Sequence, residues 1–201
     1  MQDGRFAAAS TAYVRGSTVR LPMPRRLPPN TLTSREAFFA REAAAWHALT
    51  ATWADLSDET LLLPGACGTA WSIKDIINHL AAWQEAAMRV INDLLGGRWG
   101  RLGPTVETFN AEQYIADQSR PLQESRDRLA YTREALLALL ATVSEAQLLN
   151  EYGRQQIGWW AKWSTYGHYE QHLADLTAFR EQANGRARTL NDNEGGSSSL
   201  S

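Results

Sequence analysis

The segment Trp71-Ser-Ile-Lys-Asp-Ile-Ile-Asn-His79-Leu-Ala-Ala-Trp83 has the pattern of an amphipathic helix with a marked start. Ser72 and Asp75 have the spacing of a capping box, in which the two side chains satisfy backbone amides of the first helical turn. Apolar side chains then recur every three or four residues as far as Ile91, and Gly96-Gly97 would end the helix. His79 lies within this apolar stripe, so we expect its imidazole on the inward face.

The same helical period runs through most of the chain. Three further helices are predicted, each bounded by a cap, a proline or a glycine, over residues 33–56, 121–143 and 165–183. Thr33 and Glu36 form a second potential capping box at the start of the first, and Asn184-Gly185 should end the last. Residues 105–118 fit a short crossover helix, and no segment has the alternation of a strand. We therefore predict an all-α four-helix bundle with a long crossover between helices 2 and 3.

The two ends of the chain differ in composition from its body. Residues 1–30 carry five arginines against one aspartate and contain four prolines, which predicts a disordered leader. An organellar transit peptide is the alternative interpretation of this Arg-rich segment. Residues 186–201 end in a run of Gly and Ser and predict a disordered tail. The predicted bundle therefore occupies residues 31–185.

Composition also restricts the expected cellular compartment and the expected classes of binding partner. One cysteine among 201 residues excludes an internal disulfide and fits a reducing compartment, so a cytoplasmic location is expected. No apolar run approaches the roughly 20 residues of a membrane-spanning helix, so no membrane partner is expected. Residues 31–185 hold 13 basic and 19 acidic side chains, a net −6, whereas a phosphate backbone demands clustered Lys and Arg. We therefore expect no nucleic-acid partner.

Three of the four histidines form a candidate metal site. His168 and His172 are four residues apart, so on a helix both imidazoles lie on one face and can reach one ion at about 2.0–2.1 Å. The pair is not a zincin motif, because Tyr169 follows His168 where that motif has glutamate. His79 brings a third inward imidazole, and burying three without an ion leaves unpaired nitrogens. The alternative is that each is a core histidine bonded to a carbonyl; His47 should be peripheral.

Other side chains on these helices could support the site. Asp175 follows His172 by three residues and could orient an imidazole from the second coordination sphere, although a surface Arg partner explains it equally well. Asp75 could do the same, but its cap with Ser72 is the better explanation. Cys67 has no basic neighbour in sequence and is interpreted as an incidental thiol. Four tryptophans precede helices 2 and 4 and could form an aromatic wall beside the ion or simply fill the core ends: Trp71, Trp159, Trp160 and Trp163.

These residues carry a resemblance to a known family. The segment 71–83, together with Gly167-His168-Tyr-Glu-Gln-His172-Leu, resembles the DinB-like superfamily of four-helix bundles. Leu56-Ser-Asp-Glu-Thr-Leu and Leu63-Pro64-Gly65 add a similarity to its ClbS/DfsB branch, and the resemblance spans about residues 33–183. It implies a bundle in which three histidines bind a divalent ion such as Zn²⁺ or Ni²⁺, and His79, His168 and His172 match those positions. ClbS-type members do not dependably carry all three, so the full triad favours a metal-using relative.

The functions implied by the resemblance are divided. The superfamily includes mycothiol-dependent maleylpyruvate isomerase, bacillithiol transferases, YfiT-type metal-dependent hydrolases, and ClbS-type proteins that detoxify a reactive cyclopropane metabolite. We therefore expect a bacterial metal-dependent enzyme that transfers a low-molecular-weight thiol to, or hydrolyses, a small electrophilic molecule. The alternative is a non-catalytic bundle that binds a metal or small molecule in a stress response. Under either interpretation, the protein could form a homodimer.

Overall fold

The structure is a computed structural model that describes residues 32–195 apart from residues 69, 102 and 104. The leader predicted for residues 1–30, and the last six residues of the predicted tail, lie outside the described residues. Eight helices lie within them: α1 (Arg35–Thr50), α2 (Asp58–Leu61), α3 (Ile73–Leu95), α4 (Val106–Asp117), α5 (Leu122–Thr142), α6 (Glu145–Leu149), α7 (Ile157–Trp163) and α8 (Tyr166–Gly195).

Four long helices form the bundle. Helix α3 packs against α5, and α1 packs against α8, while α4 lies on α3 within the long connection between α3 and α5. The described residues contain no strand. Cys67 and Trp71 form only an isolated bridge. The prediction of an all-α bundle with a crossover after its second long helix is therefore confirmed. Among the described helices, none is both long and apolar enough to cross a membrane.

Helix α3 is the central element, and its start follows the predicted cap. The backbone N–H of Ser72 donates to Asp75 Oδ2 at 2.8 Å, and the N–H of Asp75 donates to Ser72 Oγ at 3.2 Å. From there to Ile91 most side chains are buried, including both His79 and Trp83. Helices α4, α5 and α7 all contact α3, which explains why its burial extends beyond one stripe.

Helix α1 begins one residue later than its sequence pattern suggested. Ser34, not Thr33, accepts the N–H of Ala37 at 3.2 Å, so the predicted box of Thr33 and Glu36 is wrong. Phe38 rather than Phe39 is fully buried, in the same register as Glu42 and Leu49. Adjacent Thr and Ser are both good caps, and tertiary packing of this face selects between them.

Three further boundaries differ from expectation. Helix α1 ends at Thr50 rather than near residue 56, and residues 51–55 form turns. Helix α8 continues to Gly195, so its predicted end at Asn184-Gly185 is wrong. One glycine inside a helix costs only about 1 kcal/mol relative to alanine, which the good helix formers around it can offset. Residues 157–163, expected to be a loop, form α7. A Cβ on Gly158 would lie 2.5 Å from the carbonyl oxygens of Leu148 and Asn150, so only glycine allows α7 to pack this closely on the chain after α6.

Candidate metal centre

Helices α3 and α8 bring the three predicted histidines together in the core. His79 Nε2 lies 3.0 Å from His168 Nε2, which in turn lies 3.2 Å from His172 Nε2. All three rings are buried, and one nitrogen of each lies within 4.8 Å of the others. Their predicted convergence is confirmed. Among the described residues, no carboxylate or cysteine joins this group.

The spacing fits a shared cation better than a hydrogen-bond network. A ring nitrogen can donate or accept one such bond, yet His168 Nε2 faces both other nitrogens. Two nitrogens bound to one ion at about 2.1 Å, with angles from 90° to tetrahedral, would lie about 3.0–3.4 Å apart. The observed distances fall in that range. Imidazole nitrogens suit Zn²⁺, Ni²⁺, Cu²⁺ and Fe²⁺, so the donor set and its spacing fit a divalent transition metal.

The electrostatics hold the rings in the form that can bind a metal. Burial lowers the pKa of His172 to about 4. Burial also lowers the pKa of His79 well below its usual value, and the charge of His172 adds to the effect. The pKa of His168 is lowered by burial first and then by His79 and His172. All three imidazoles are therefore neutral at pH 7, as metal binding requires.

A polar network on another face of α8 fixes its position. The hydroxyl of Tyr169 accepts a hydrogen bond from Gln84 Nε2 of α3 at 2.9 Å, and Gln84 Oε1 accepts one from Thr132 Oγ1 of α5 at 2.6 Å. Glu170 points to α1, where it binds Arg41 through two hydrogen bonds of 2.9 and 3.0 Å. Tyr169 and Glu170 lie between the two histidines in the sequence and thus anchor α8 to α3 and α1, and through Gln84 to α5. These contacts fix where the imidazoles lie.

Aromatic rings surround the cluster, although not all of those predicted. The Trp71 ring lies 5.1 Å from the His79 ring, and the Trp83 ring lies 5.8 Å from that of His168. Trp160 reaches the site only through Trp83, at 6.4 Å, while Trp159 and Trp163 contact each other and not the histidines. Trp83 was treated only as a core residue, yet its position four residues after His79 could have assigned it to the site.

The remaining candidate side chains lie outside the cluster. Asp75 caps α3 as predicted, and His47 is exposed in the last turn of α1. Asp175 is exposed, and its carboxylate interacts with the thiol of Cys67. Burial, and then the Asp175 charge, raise the pKa of Cys67 to about 11, so this thiol stays protonated at neutral pH. The contacts of Asp175 give no support to a role in orienting an imidazole, which stays a prediction.

Solved structures with the same fold include those of three proteins. One is a crystal structure of the colibactin self-resistance protein ClbS in complex with dsDNA: TM-score 0.64, 15% identity, 75% of this chain and 98% of that chain covered. The sibling lethal factor precursor DfsB gives a TM-score of 0.63 at 17% identity, with coverage of 76% and 98%. An uncharacterised protein from Escherichia coli UTI89 gives 0.64 at 14% identity, with coverage of 79% and 96%. At these identities the likeness shows the fold alone.

The expectation of no nucleic-acid partner is corrected by this comparison. ClbS has the same fold and was crystallised with dsDNA. The expectation failed because it rested on the net charge of residues 31–185, which is a sum over the whole body. A sum of charges does not exclude a local cluster of basic side chains on one surface.

A family model provides the assignment. No curated protein matches the chain. The model of the DinB superfamily matches residues 43–176, a range that contains all three histidines and most of the bundle. The chain belongs to the DinB superfamily.

Proposed function

We propose that this protein is a divalent-metal-dependent enzyme that acts on a small electrophilic molecule by thiol transfer or hydrolysis. One observation carries the proposal: three buried, neutral imidazoles offer their Nε2 atoms within 4.8 Å of one another. Three protein ligands are the number typical of catalytic zinc sites, whereas structural sites close all four positions with side chains. Within the described residues, the protein supplies three.

The three histidines would hold the ion, Zn²⁺ or Ni²⁺ by the chemistry of the donors. When bound, such an ion supplies Lewis acidity, which lowers the pKa of water or of a thiol enough to give a nucleophile near neutral pH. Trp71 packs against His79 and Trp83 against His168, and both imidazoles are buried. Trp83 is held in place, because its indole N–H donates to Asn110 Oδ1 at 3.0 Å.

The proposal assigns no nucleophilic role to Cys67. Its pKa of about 11 keeps it protonated at neutral pH, and its carboxylate neighbour Asp175 opposes the thiolate. A thiol-transfer reaction would therefore need a separate low-molecular-weight thiol as co-substrate. Hydrolysis would need only water. Product formation measured with and without an added low-molecular-weight thiol therefore distinguishes the two reactions.

Cobalt substitution tests whether the ion remains accessible to a ligand. We expect the visible spectrum of Co²⁺ bound to the full chain to change when a low-molecular-weight thiol or a small anion is added, because three side chains leave a position open. A thiol response without an anion response would favour thiol transfer. A spectrum unchanged by excess thiol and anion would contradict the enzyme proposal and favour the non-catalytic binding protein, with Asp175→Ala as the variant that would reopen a position closed by that carboxylate.

A second proposal concerns duplex DNA, because ClbS shares the fold and was crystallised with dsDNA. The loop after α3 presents Trp99, which is 69% exposed, between Arg98 and Arg101. Arg98 of this loop also binds Asp93 of α3 at 2.7 Å, which ties the loop to the end of the helix. Exposed cationic and aromatic side chains together suit contacts to phosphates and bases.

Fluorescence anisotropy with a labelled duplex of about 20 base pairs tests this second proposal. We expect binding that weakens as salt is raised, and that Trp99→Ala and Arg101→Ala each weaken several-fold. Tyr131→Ala is the matched control, since Tyr131 is 71% exposed but lies on α5. No binding at low salt, or equal losses for Tyr131→Ala and Trp99→Ala, would contradict the proposal.

A further inference from the structure

A narrow pocket opens between α3 and α4 directly beside the histidine cluster. Its lining includes His79, the rings of Trp71 and Tyr114, and the polar side chains of Asp75 and Asn78. The free volume of about 10 Å³ is enough for roughly one water-sized group. The pocket can therefore take the head of a ligand, while the rest of that ligand lies outside it.

Asn78, a residue of this lining, carries a buried acceptor with no donor among the described residues. Asn78 is 2% exposed, and its amide nitrogen donates to the carbonyl of Lys74 at 3.2 Å and to Ser125 Oγ at 2.9 Å. These bonds fix the orientation of the amide, because a flipped amide would place two oxygens against each other. Asn78 Oδ1 is left without a partner among the described residues. A buried oxygen of this kind costs free energy until a donor reaches it.

The pocket also has a carboxylate that no described cation pairs with. The carboxylate of Asp75 accepts hydrogen bonds from Ser72 and from the Gln118 amide, and none of its partners in the described chain is basic. Asp117, the other acid of the lining, differs because it is paired with Arg120 and Arg128 at 2.8 Å each.

The aromatic rings of the lining also favour a cationic ligand. The rings of Trp71 and Tyr114 are stacked, with centroids 5.5 Å apart and planes 11° from parallel. Aromatic faces attract cations, and Trp does so most strongly. Within the described part of the chain, residues with an unpaired acceptor, a carboxylate without a cation and two aromatic rings thus line a space of about the size of one ammonium group.

We propose that this pocket binds the ammonium group of an amine-bearing small molecule. The ammonium N–H groups would donate to Asn78 Oδ1 and to the carboxylate of Asp75, against the Trp71 and Tyr114 rings. This inference rests on the proposed function for the position of the remaining part of the molecule. His79 contributes to both the pocket and the metal cluster, so a ligand anchored here would present its adjoining atoms to the ion.

Titration of the full chain with n-butylammonium tests the inference, with tryptophan fluorescence as the readout and n-butanol as the uncharged probe of matched length. We expect saturable binding of n-butylammonium at least tenfold tighter than that of n-butanol. Asp75→Asn should weaken n-butylammonium binding about tenfold yet preserve the helix, because Asn retains an oxygen for the cap. Asp93→Asn, near the other end of α3, is the control and should bind like the natural chain. Equal affinity for the two probes, or an affinity unchanged by Asp75→Asn, would overturn the proposal.

The His172→Ala variant separates this inference from the proposed function. His172 belongs to the metal cluster but does not line the pocket, so this variant should still bind n-butylammonium. Binding of n-butylammonium by the natural chain, if that chain takes up no metal, would support the pocket and contradict the enzyme. Metal binding by a chain that does not bind n-butylammonium would overturn the pocket alone.

Discussion

Two of the buried polar clusters in the described bundle differ in one respect: one is complete within the chain and the other is not. On one face of α8, the Glu42 carboxylate binds the Arg133 guanidinium through hydrogen bonds of 2.8 and 2.7 Å, and Tyr169 joins Gln84 and Thr132 nearby. On another face, three imidazoles converge, but their nitrogens cannot all be satisfied by one another. A cluster that is complete within the chain stabilises the fold, whereas an incomplete one indicates a missing ligand.

The largest expected effect comes from breaking the complete cluster. Arg133→Ala would leave Glu42, which is 1% exposed, as a buried charge without its partner. We expect the free energy of unfolding to fall by about 3–5 kcal/mol, measured by urea denaturation of metal-free protein. Arg126→Ala removes the Arg126–Asp58 pair, in which Asp58 is well exposed, and should cost less than about 1 kcal/mol. Equal losses of unfolding free energy for the two variants would show that the buried pair stabilises the fold no more than the exposed pair does.

The second-largest effect on stability is expected when a metal ion completes the histidine cluster. A divalent ion that binds only the folded state adds about 2.7 kcal/mol at a free concentration one hundred times its dissociation constant. We therefore expect Zn²⁺ to raise the melting temperature of the chelator-treated chain but not that of His172→Ala. Circular dichroism should show similar helix content with and without the ion, since apolar packing supplies most of the folding energy. A metal-free chain without helices would instead indicate a structural metal.

A pH series of metal-free protein sharpens the comparison further. Burial lowers the pKa of all three cluster histidines, so below about pH 6.5 the unfolded chain binds protons that the folded chain does not. Stability should be full above pH 6.5 and fall towards pH 4, by about 1.4 kcal/mol per pH unit for each histidine. His172→Gln should give a shallower fall in the free energy of unfolding, whereas His47→Gln should not. Identical slopes would contradict burial of neutral imidazoles.

The smallest effect is expected at Asp175. Its carboxylate interacts with Cys67 and is exposed, so Asp175→Ala should leave the metal content and the melting temperature nearly unchanged. The pKa of Cys67 should fall, but burial, the larger cause, should still keep the thiol protonated at pH 8. The rate of reaction with a thiol reagent measures this. Loss of metal in Asp175→Ala would instead show that Asp175 supports the histidines.

Local patterns predicted those parts of the fold and site that depend on local spacing. The Ser72–Asp75 cap and the four-residue spacing of His168 and His172 are properties of one helix, and both could be inferred from the chain alone. Placement of His79 on an apolar stripe was enough to direct it towards the same core.

Features that depend on packing between helices could not be predicted. The Glu42–Arg133 pair joins residues of α1 and α5, and nothing in either segment indicates the other. The pocket beside His79 needs the register of α4 on α3, which brings Asn78 and Tyr114 to one place. Choice of the Ser34 cap depends on a small energy difference that tertiary packing decides. Continuation of α8 past Asn184-Gly185 likewise depends on the small cost of one glycine inside a helix.

Metal content of tag-free protein tests the central claim most directly. Inductively coupled plasma mass spectrometry of the full chain, saturated with Zn²⁺ or Ni²⁺ and then desalted, should give one ion per chain. His79→Ala, His168→Ala and His172→Ala should each reduce this to well below one, while His47→Ala, whose imidazole is exposed and outside the cluster, should retain it. No stoichiometric metal in the natural chain, or full occupancy in all four variants, would contradict the assignment of the three-histidine cluster as a metal site.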